Sequence, residues 1–190
     1  LTGVKRELDS GVSVAERDPD TDLTPLAAAV ASPKEVGHLV RLLLERGADP
    51  NAECGIKRKK SILLLAAPAW DPIRLRLLVD AGADLTYRTE SGYDAMMCCF
   101  FVEGASHDPG LLDTVRFLID SGAPLDGASK YGETAIATAS RLGRFDAVSC
   151  LLRAGADPAP LRWSSLHRAV ALGTSADLQD LVDDGELETR

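Results

Sequence analysis

The sequence predicts an all-α fold in which helix-turn-helix units stack side by side. A Gly-Ala motif recurs after apolar stretches, and a Thr, Ser or Asp recurs ahead of short runs of small and apolar residues. The two features alternate in one order along almost the whole chain of 190 residues. Alternation at a regular spacing is the signature of a repeat architecture. We therefore expect each unit to contain a helix, a turn, a second helix, a glycine stop and an extended link.

The glycine motif marks the end of the second helix of each unit. It occurs at residues 47–49, 82–84, 122–124 and 155–157, with weaker forms at Gly11 and Gly185. Glycine adopts the left-handed backbone conformation that commonly closes a helix. A helix is therefore expected directly before each of these glycines.

The first helix of each unit begins after a residue type that caps helix N-termini. Side chains of Thr, Ser and Asp accept a hydrogen bond from an otherwise unpaired amide of the first turn. The predicted caps are Thr24, Ser61, Asp94, Thr134 and Ser164. The cap-to-glycine segments have one length at 61–82, 134–155 and 164–185, and are longer at 24–47 and 94–122. The additional residues of the third unit, at 102–110, are expected to form an exposed loop, either a contact site or an inert insertion.

The cap motif Thr-Pro-Leu-Ala-Ala-Ala at 24–29, followed by a helix pair and Gly-Ala-Asp, resembles the ankyrin repeat, whose period is about 33 residues. The resemblance implies one domain at 1–190, an ankyrin-repeat solenoid of helix-turn-helix units with β-hairpin finger links. His167 occupies the family's histidine position, where we expect it to hydrogen-bond near the cap. The predicted boundaries are a half-repeat at 1–17 and repeats at about 18–54, 55–87, 88–127, 128–157 and 158–190.

Stability in such an array comes from neighbouring units, because a single unit cannot bury its own apolar face. The predicted core consists of Leu26, Leu43, Leu63, Leu77, Leu78, Met96, Leu118, Ile119, Ile136, Leu151, Leu152, Leu166 and Leu181.

The resemblance also implies a partner protein, bound in a concave groove against the finger tips and the first helices. The corresponding positions are Lys57, Arg58, Lys60, Glu90, Tyr93, Phe101, Lys130, Tyr131, Glu133, Arg141, Leu142, Leu161, Trp163 and Leu172. Aromatic residues make up only 5% of the chain, yet four of them fall on these positions. Because aromatic and Arg side chains dominate interface energies, we expect an apolar-aromatic strip through units three to five, with a basic flank at 57–60. The alternative is that these aromatic and leucine side chains pack within the domain.

The net charge, the apolar runs and the cysteine content indicate which kind of partner and which cellular location to expect. A net charge of −8 opposes binding to nucleic acid and favours a partner with a basic surface. No apolar run is long enough to cross a membrane. The four cysteines form no disulfide pattern, which favours reduced thiols and a cytoplasmic location. No oligomeric state is indicated.

No residue pattern points to catalysis, a metal or a cofactor. Residues 18–22 imitate a calcium loop, but Leu23 and Ala29 stand where glycine and glutamate are required. Cys98 and Cys99 lack the second spaced pair of a zinc site. The sequence therefore predicts a protein-binding module or scaffold that is not an enzyme. Two narrower interpretations stay open: a bacterial immunity-type protein that neutralises a toxin by binding it, and a regulatory or targeting domain of a larger protein.

Overall fold

The computed structural model describes residues 2–32, 37–56 and 59–173 and is mostly helical, as the repeat pattern predicts. The first helices of successive units are α2 (Pro25–Ala31), α4 (Ile62–Ala66), α6 (Ala95–Cys98), α8 (Ala135–Arg141) and α10 (Ser165–Leu172). The second helices are α1 (Thr2–Asp9), α3 (Gly37–Glu45), α5 (Pro72–Asp80), α7 (Gly110–Asp120) and α9 (Phe145–Arg153).

The helices contact one another in two rows. The first helices α2, α4, α6 and α8 touch in sequence, and so do the second helices α3, α5, α7 and α9. Within units, α2 packs on α3, α4 on α5 and α8 on α9. The core consequently lies between the two rows and runs through successive units, which is how repeats bury apolar surface that none could bury alone.

Four of the five predicted N-caps are confirmed. Thr24, Asp94, Thr134 and Ser164 each accept a hydrogen bond from the amide three residues later, at 2.9 to 3.3 Å. Ser61 likewise stands at the N-cap position of α4, but its side chain makes no cap bond, and its backbone pairs with Glu53 at the end of a β-ladder.

The glycine stops are confirmed where the structure describes them. Gly47, Gly82, Gly122 and Gly155 have φ angles between +82° and +98°. Gly185 lies outside the described residues. An L-residue with a side chain rarely adopts this conformation, so glycine is required at these helix ends.

Most of the predicted core is buried. The residues with at most 2% exposure are Leu26, Leu43, Leu63, Leu78, Met96, Leu118, Ile136 and Leu151. Leu77, Ile119, Leu152 and Leu166 are half-buried, and Leu181 lies outside the described residues.

The links between units are less regular than the predicted series of hairpins. Strand β1 (Glu53–Cys54) pairs antiparallel with β2 (Lys60–Ser61), and one isolated bridge joins Ala128 to Thr134. The last link instead forms a 3-10 turn at Ala159–Leu161. Pro158 and Pro160 explain the difference, because proline has no amide hydrogen for a β-ladder.

The segment 102–110 of the third unit, the insertion, is not the freely exposed loop that the sequence predicts. Ala105 is 1% exposed. Arg144 of the fourth unit donates from Nη1 to the carbonyls of Ala105 and Asp108, at 2.9 and 2.8 Å. The insertion is thus in contact with the fourth unit, because a buried apolar side chain and two backbone carbonyls hold it there.

Candidate partner-binding surface

The tips of the third and fourth units lie directly beside each other. The third tip comprises residues 89–92 and the fourth comprises residues 129–132. The amide of Lys130 donates to the carbonyl of Ser91 at 2.9 Å, which joins the two tips through the backbone. The side chains that flank these tips therefore have a fixed relative position.

Tyr93 is the centre of a cluster on this face. Its ring meets the ring of Phe101 edge to face, with centroids 5.3 Å apart and an interplanar angle of 87°. Its hydroxyl donates a hydrogen bond to the Glu133 carboxylate of the next unit. An edge-to-face pair contributes about 0.5–1.5 kcal/mol beyond the burial of its surface. Tyr93 is half-buried, whereas Phe101 is 44% exposed and remains accessible.

Glu133 connects this cluster to helix α8. Its Oε1 lies 3.7 Å from Nη2 of Arg141, whose side chain is 62% exposed. The guanidinium of Arg141 also donates to Thr138 Oγ1 at 3.1 Å. An exposed ion pair of this kind contributes at most about 1 kcal/mol. We therefore assign it an orienting role rather than a large contribution to stability.

The hydrogen bond between Tyr93 and Glu133 has an electrostatic consequence. The carboxylate accepts a hydrogen bond from the phenol, and this bond raises the pKa of Tyr93, with a further contribution from burial. The cluster is thus fully hydrogen-bonded while the phenol is protonated, which is its state near neutral pH.

Other predicted contact residues of these units are accessible. Tyr131 is 75% exposed at the fourth tip, and its amide donates to Ser129 Oγ at 3.2 Å. Lys130 and Glu90 are exposed as well. The face therefore displays one largely accessible aromatic residue, a second that is partly accessible, and charges of both signs.

The fifth-unit residues lie in a different environment. Trp163 is half-buried, and its ring packs edge-on against Phe145, with centroids 5.8 Å apart. Phe145 is 41% exposed at the start of α9 and was not among the predicted contact positions. Trp163 thus makes its ring contact with Phe145 rather than with Tyr93 or Phe101. The half-buried residues that pack on the core nearby are Leu142, Leu161 and Leu172.

The basic flank is described only in part. Lys57 and Arg58 lie outside the described residues. Lys60 is half-buried and pairs with Cys54 in the hairpin of β1 and β2. Of these flank residues, which the sequence predicts to bind a partner, Lys60 is the one that the structure describes, and it lies within strand β2.

Buried titratable groups in these units have structural roles. Asp94 is 2% exposed and accepts a hydrogen bond from the Met97 amide at 2.9 Å. Burial raises the pKa of its carboxyl, while that bond and Arg88 oppose the shift. Burial also raises the pKa of Cys98 to about 11 and holds that of Cys99 well above its ordinary value. Thiols in this state are protonated and unreactive near neutral pH.

Asp18 in the calcium-like segment and His167 both make local hydrogen bonds. Asp18 uses its Oδ1 to accept bonds from the amide and hydroxyl of Thr21, both at 2.7 Å, so its carboxylate closes its own turn. His167 Nδ1 lies 2.7 Å from the cap hydroxyl of Ser164, as the sequence predicts.

Within residues 2–32, 37–56 and 59–173, no three His, Cys, Asp or Glu side chains are grouped to hold a metal, and no helix can span a bilayer.

Sequence reasoning missed two buried arginines that join neighbouring units. Arg74 of α5 donates to the carbonyls of Val30 and Ser32, at 2.6 and 2.9 Å, and Arg144 makes the corresponding bonds to the insertion. Both side chains are at most 7% exposed. In the sequence, each of them is an arginine close to apolar helix positions. This pattern does not distinguish a buried arginine from one that is exposed to solvent.

The comparisons with known proteins agree with the repeat pattern. The family model for the ankyrin repeat matches residues 21–54, inside the first complete unit predicted from the caps and glycines. An ankyrin repeat protein of Acanthamoeba polyphaga mimivirus is 29% identical over 103 residues, which are 54% of this chain and 62% of that protein. The chain thus spans less than two thirds of the length of this curated relative. Residues 21–54 of this chain are thus similar to an ankyrin repeat, and both matches agree with the repeated caps, glycine stops and helix pairs described above.

Proposed function

We propose that this protein binds a partner protein through the tips and first helices of its third and fourth units, and that it is not an enzyme. Ankyrin repeats are in general protein–protein interaction modules. One observation supports this surface above the others: Tyr131 and Phe101 are exposed beside a Tyr93 side chain that hydrogen bonding and ring packing hold in place. Accessible aromatic rings on a rigid support are the residue type that dominates binding energy.

The proposed architecture is a single solenoid domain with the repeat boundaries predicted from the sequence. Continuous contacts along α2, α4, α6 and α8 support a regular row of first helices. In such a row the tips and the exposed sides of these helices form one elongated face. A partner that crosses this face would contact Tyr131 and Phe101 at its centre.

The charge of the chain favours a partner with a basic surface. The net charge is −8, and Glu90 and Glu133 lie on the same face as the exposed rings. Opposite charges increase the association rate more than they increase affinity. We therefore expect the rate of binding to fall as the salt concentration rises.

The first experiment tests whether this face is the binding site. A photoreactive phenylalanine analogue replaces Tyr131 in one sample and Ile73 in another, and both proteins are irradiated in lysate of the cells that produce the protein. Ile73 is a matched control because it is 70% exposed on α5, a second helix. A covalent adduct that forms from position 131 and not from position 73 supports the proposal.

The second experiment uses the purified partner identified in this way. Phe101→Ala and Tyr131→Ala are each expected to weaken binding about tenfold or more, because truncation of an interface hot spot costs about 2 kcal/mol or more. Ile73→Ala should leave the dissociation constant unchanged. Equal affinity of all three folded variants, or adducts from position 73 alone, would refute the proposed surface.

A further inference from the structure

We infer that Arg144 is a positioning residue for the binding surface: it fixes the insertion at 102–110 and, through it, the exposed ring of Phe101. The inference rests on the proposed function for the role of Phe101. The position of the insertion is a property of the free protein and is separate from that function.

The insertion has little structure that would fix its position by itself. No helix or strand lies between Cys98 and the start of α7 at Gly110. Its internal bonds close short turns, such as the Ala105 amide to Val102 and the Asp108 amide to Gly104, at 3.2 and 3.0 Å. Bonds of this kind shape a loop locally but do not attach it to neighbouring helices.

Beside the burial of Ala105, the guanidinium of Arg144 attaches the insertion to the fourth unit. Its Nη1 donates to the carbonyls of Ala105 and Asp108, and the residue is 6% exposed. Its Nε and Nη2 donate to the two carboxylate oxygens of Asp146 at 2.9 and 2.8 Å. The bidentate pair with Asp146 orients the guanidinium plane, so that Nη1 is directed at the insertion. Charge-assisted bonds of this type are about twice as strong as neutral ones.

A second bond holds the chain on the other side of Phe101. The indole Nε1 of Trp70, in the second unit, donates to the carbonyl of Cys99 at 2.9 Å. Phe101 therefore lies between two backbone positions, Cys99 and Ala105, that are bound by side chains of different units. The ring can remain against Tyr93 only while both positions are held.

Arginine is required at position 144 by geometry as well as by charge. A lysine keeps the positive charge but has a single ammonium group instead of a planar guanidinium. It therefore cannot donate hydrogen bonds to Asp146 and to two carbonyls in the same arrangement. Loss of the guanidinium leaves the carbonyls of Ala105 and Asp108 without their donor in a poorly solvated place. We expect the insertion then to open while the helices stay folded.

Hydrogen–deuterium exchange of the free, full-length protein tests this inference. The variants are Arg144→Lys and Arg144→Met, and the control is Arg153→Ala, an exposed arginine at the end of helix α9, which begins directly after Arg144. Amides of residues 102–108 are expected to exchange about tenfold faster or more in both Arg144 variants. Exchange in α3 and α5 should stay unchanged, and the control should match the wild type throughout.

A second measurement follows Phe101 itself. The nuclear Overhauser contact between the rings of Tyr93 and Phe101 is expected to weaken in Arg144→Lys and to persist in Arg153→Ala. Unchanged exchange at 102–108 in folded Arg144→Lys would overturn the inference, and so would equal acceleration in every helix, which indicates global destabilisation. Neither measurement needs a partner, so a failed crosslink from position 131 would count against the proposed function alone.

Discussion

The hydroxyl of Tyr93 in the third unit donates a hydrogen bond to the carboxylate of Glu133 in the fourth. This bond crosses the boundary between two repeats on the face that also carries Phe101 and Tyr131. Side chains that were predicted as separate contact positions are therefore coupled: a change at Glu133 alters the environment of Tyr93 and of the ring packed against it.

Glu133→Gln is expected to lower the pKa of Tyr93 towards the ordinary value for tyrosine. The hydrogen bond from the phenol to this carboxylate is the largest cause of the raised pKa, so replacement of the charged acceptor by a neutral amide reduces the shift. Titration of the phenol ring carbon by NMR measures the change. Glu90→Gln is the control, because Glu90 is also exposed on this face but does not contribute to the shift. Identical Tyr93 titrations in Glu133→Gln and wild type would contradict the assignment.

Tyr87 makes the stability of the protein sensitive to alkaline pH. Its pKa is raised from 10.0 to about 12 by burial and by a hydrogen bond to Glu53, whose Oε1 lies 2.6 Å from the hydroxyl. Because the folded state favours the protonated phenol, this stabilisation is complete below pH 10 and is lost as the pH rises towards 12.

The measurement for Tyr87 is urea unfolding at several pH values. The free energy of unfolding should fall more steeply above pH 10 in the wild type than in Tyr87→Phe, which has no titrating group at this position. Tyr131→Phe, at a 75% exposed position, should follow the wild type. Parallel curves for wild type and Tyr87→Phe would show that this contact is absent in solution.

Gly127→Ala is expected to destabilise the protein by about 1–3 kcal/mol, the usual cost of overpacking a buried site. A Cβ at this position would overlap with Oδ2 of Asp94 and would lie 2.9 Å from Nη2 of Arg88. The carboxylate cannot move freely, because its other oxygen caps helix α6. Thermal unfolding measures the loss. Gly3→Ala is the control, since a Cβ there meets nothing within 4 Å and alanine favours a helix.

Ser61→Ala and Thr134→Ala should change the free energy of unfolding by different amounts or in opposite directions, although both replace a predicted N-cap residue. Thr134 accepts a bond from the Ala137 amide at 3.3 Å, so its loss is expected to cost about 1 kcal/mol. Among the described residues the Ser61 hydroxyl has no hydrogen-bond partner and is buried. Its removal should be neutral or stabilising, as judged by urea unfolding. A loss at Ser61 as large as that at Thr134 would indicate a cap bond that the structure does not contain.

The features that could be predicted from the sequence are those set by neighbouring residues in the chain. A threonine before Ala135 and a glycine after Ala154 act within one turn of backbone, so Thr134 and Gly155 could be assigned without knowledge of the fold. Ser61 shows the limit of this reasoning. It has a capping residue type and stands at the N-cap of α4, but its side chain makes no cap bond there, where its backbone also pairs with Glu53 across the hairpin.

The features that could not be predicted depend on contacts between units. Nothing in the local sequence of Arg144 indicates that it binds carbonyls 36 and 39 residues earlier in the chain. The same holds for Trp70 and Cys99. The groove positions that the resemblance to the ankyrin repeat implies did predict that Tyr93, Phe101 and Glu133 lie in one region. They did not predict that Trp163 would meet Phe145, because Phe145 is not one of those positions.

The bonds that Trp70 and Arg144 make also restrict how this array can evolve. Tandem repeats are commonly gained, lost or exchanged by recombination between similar segments of a gene. Here the donors lie in the second and fourth units and the acceptors in the third. Replacement of the third unit by a standard repeat would remove the acceptors that the Trp70 indole and Nη1 of Arg144 have here. The three central units are therefore expected to be inherited as one block.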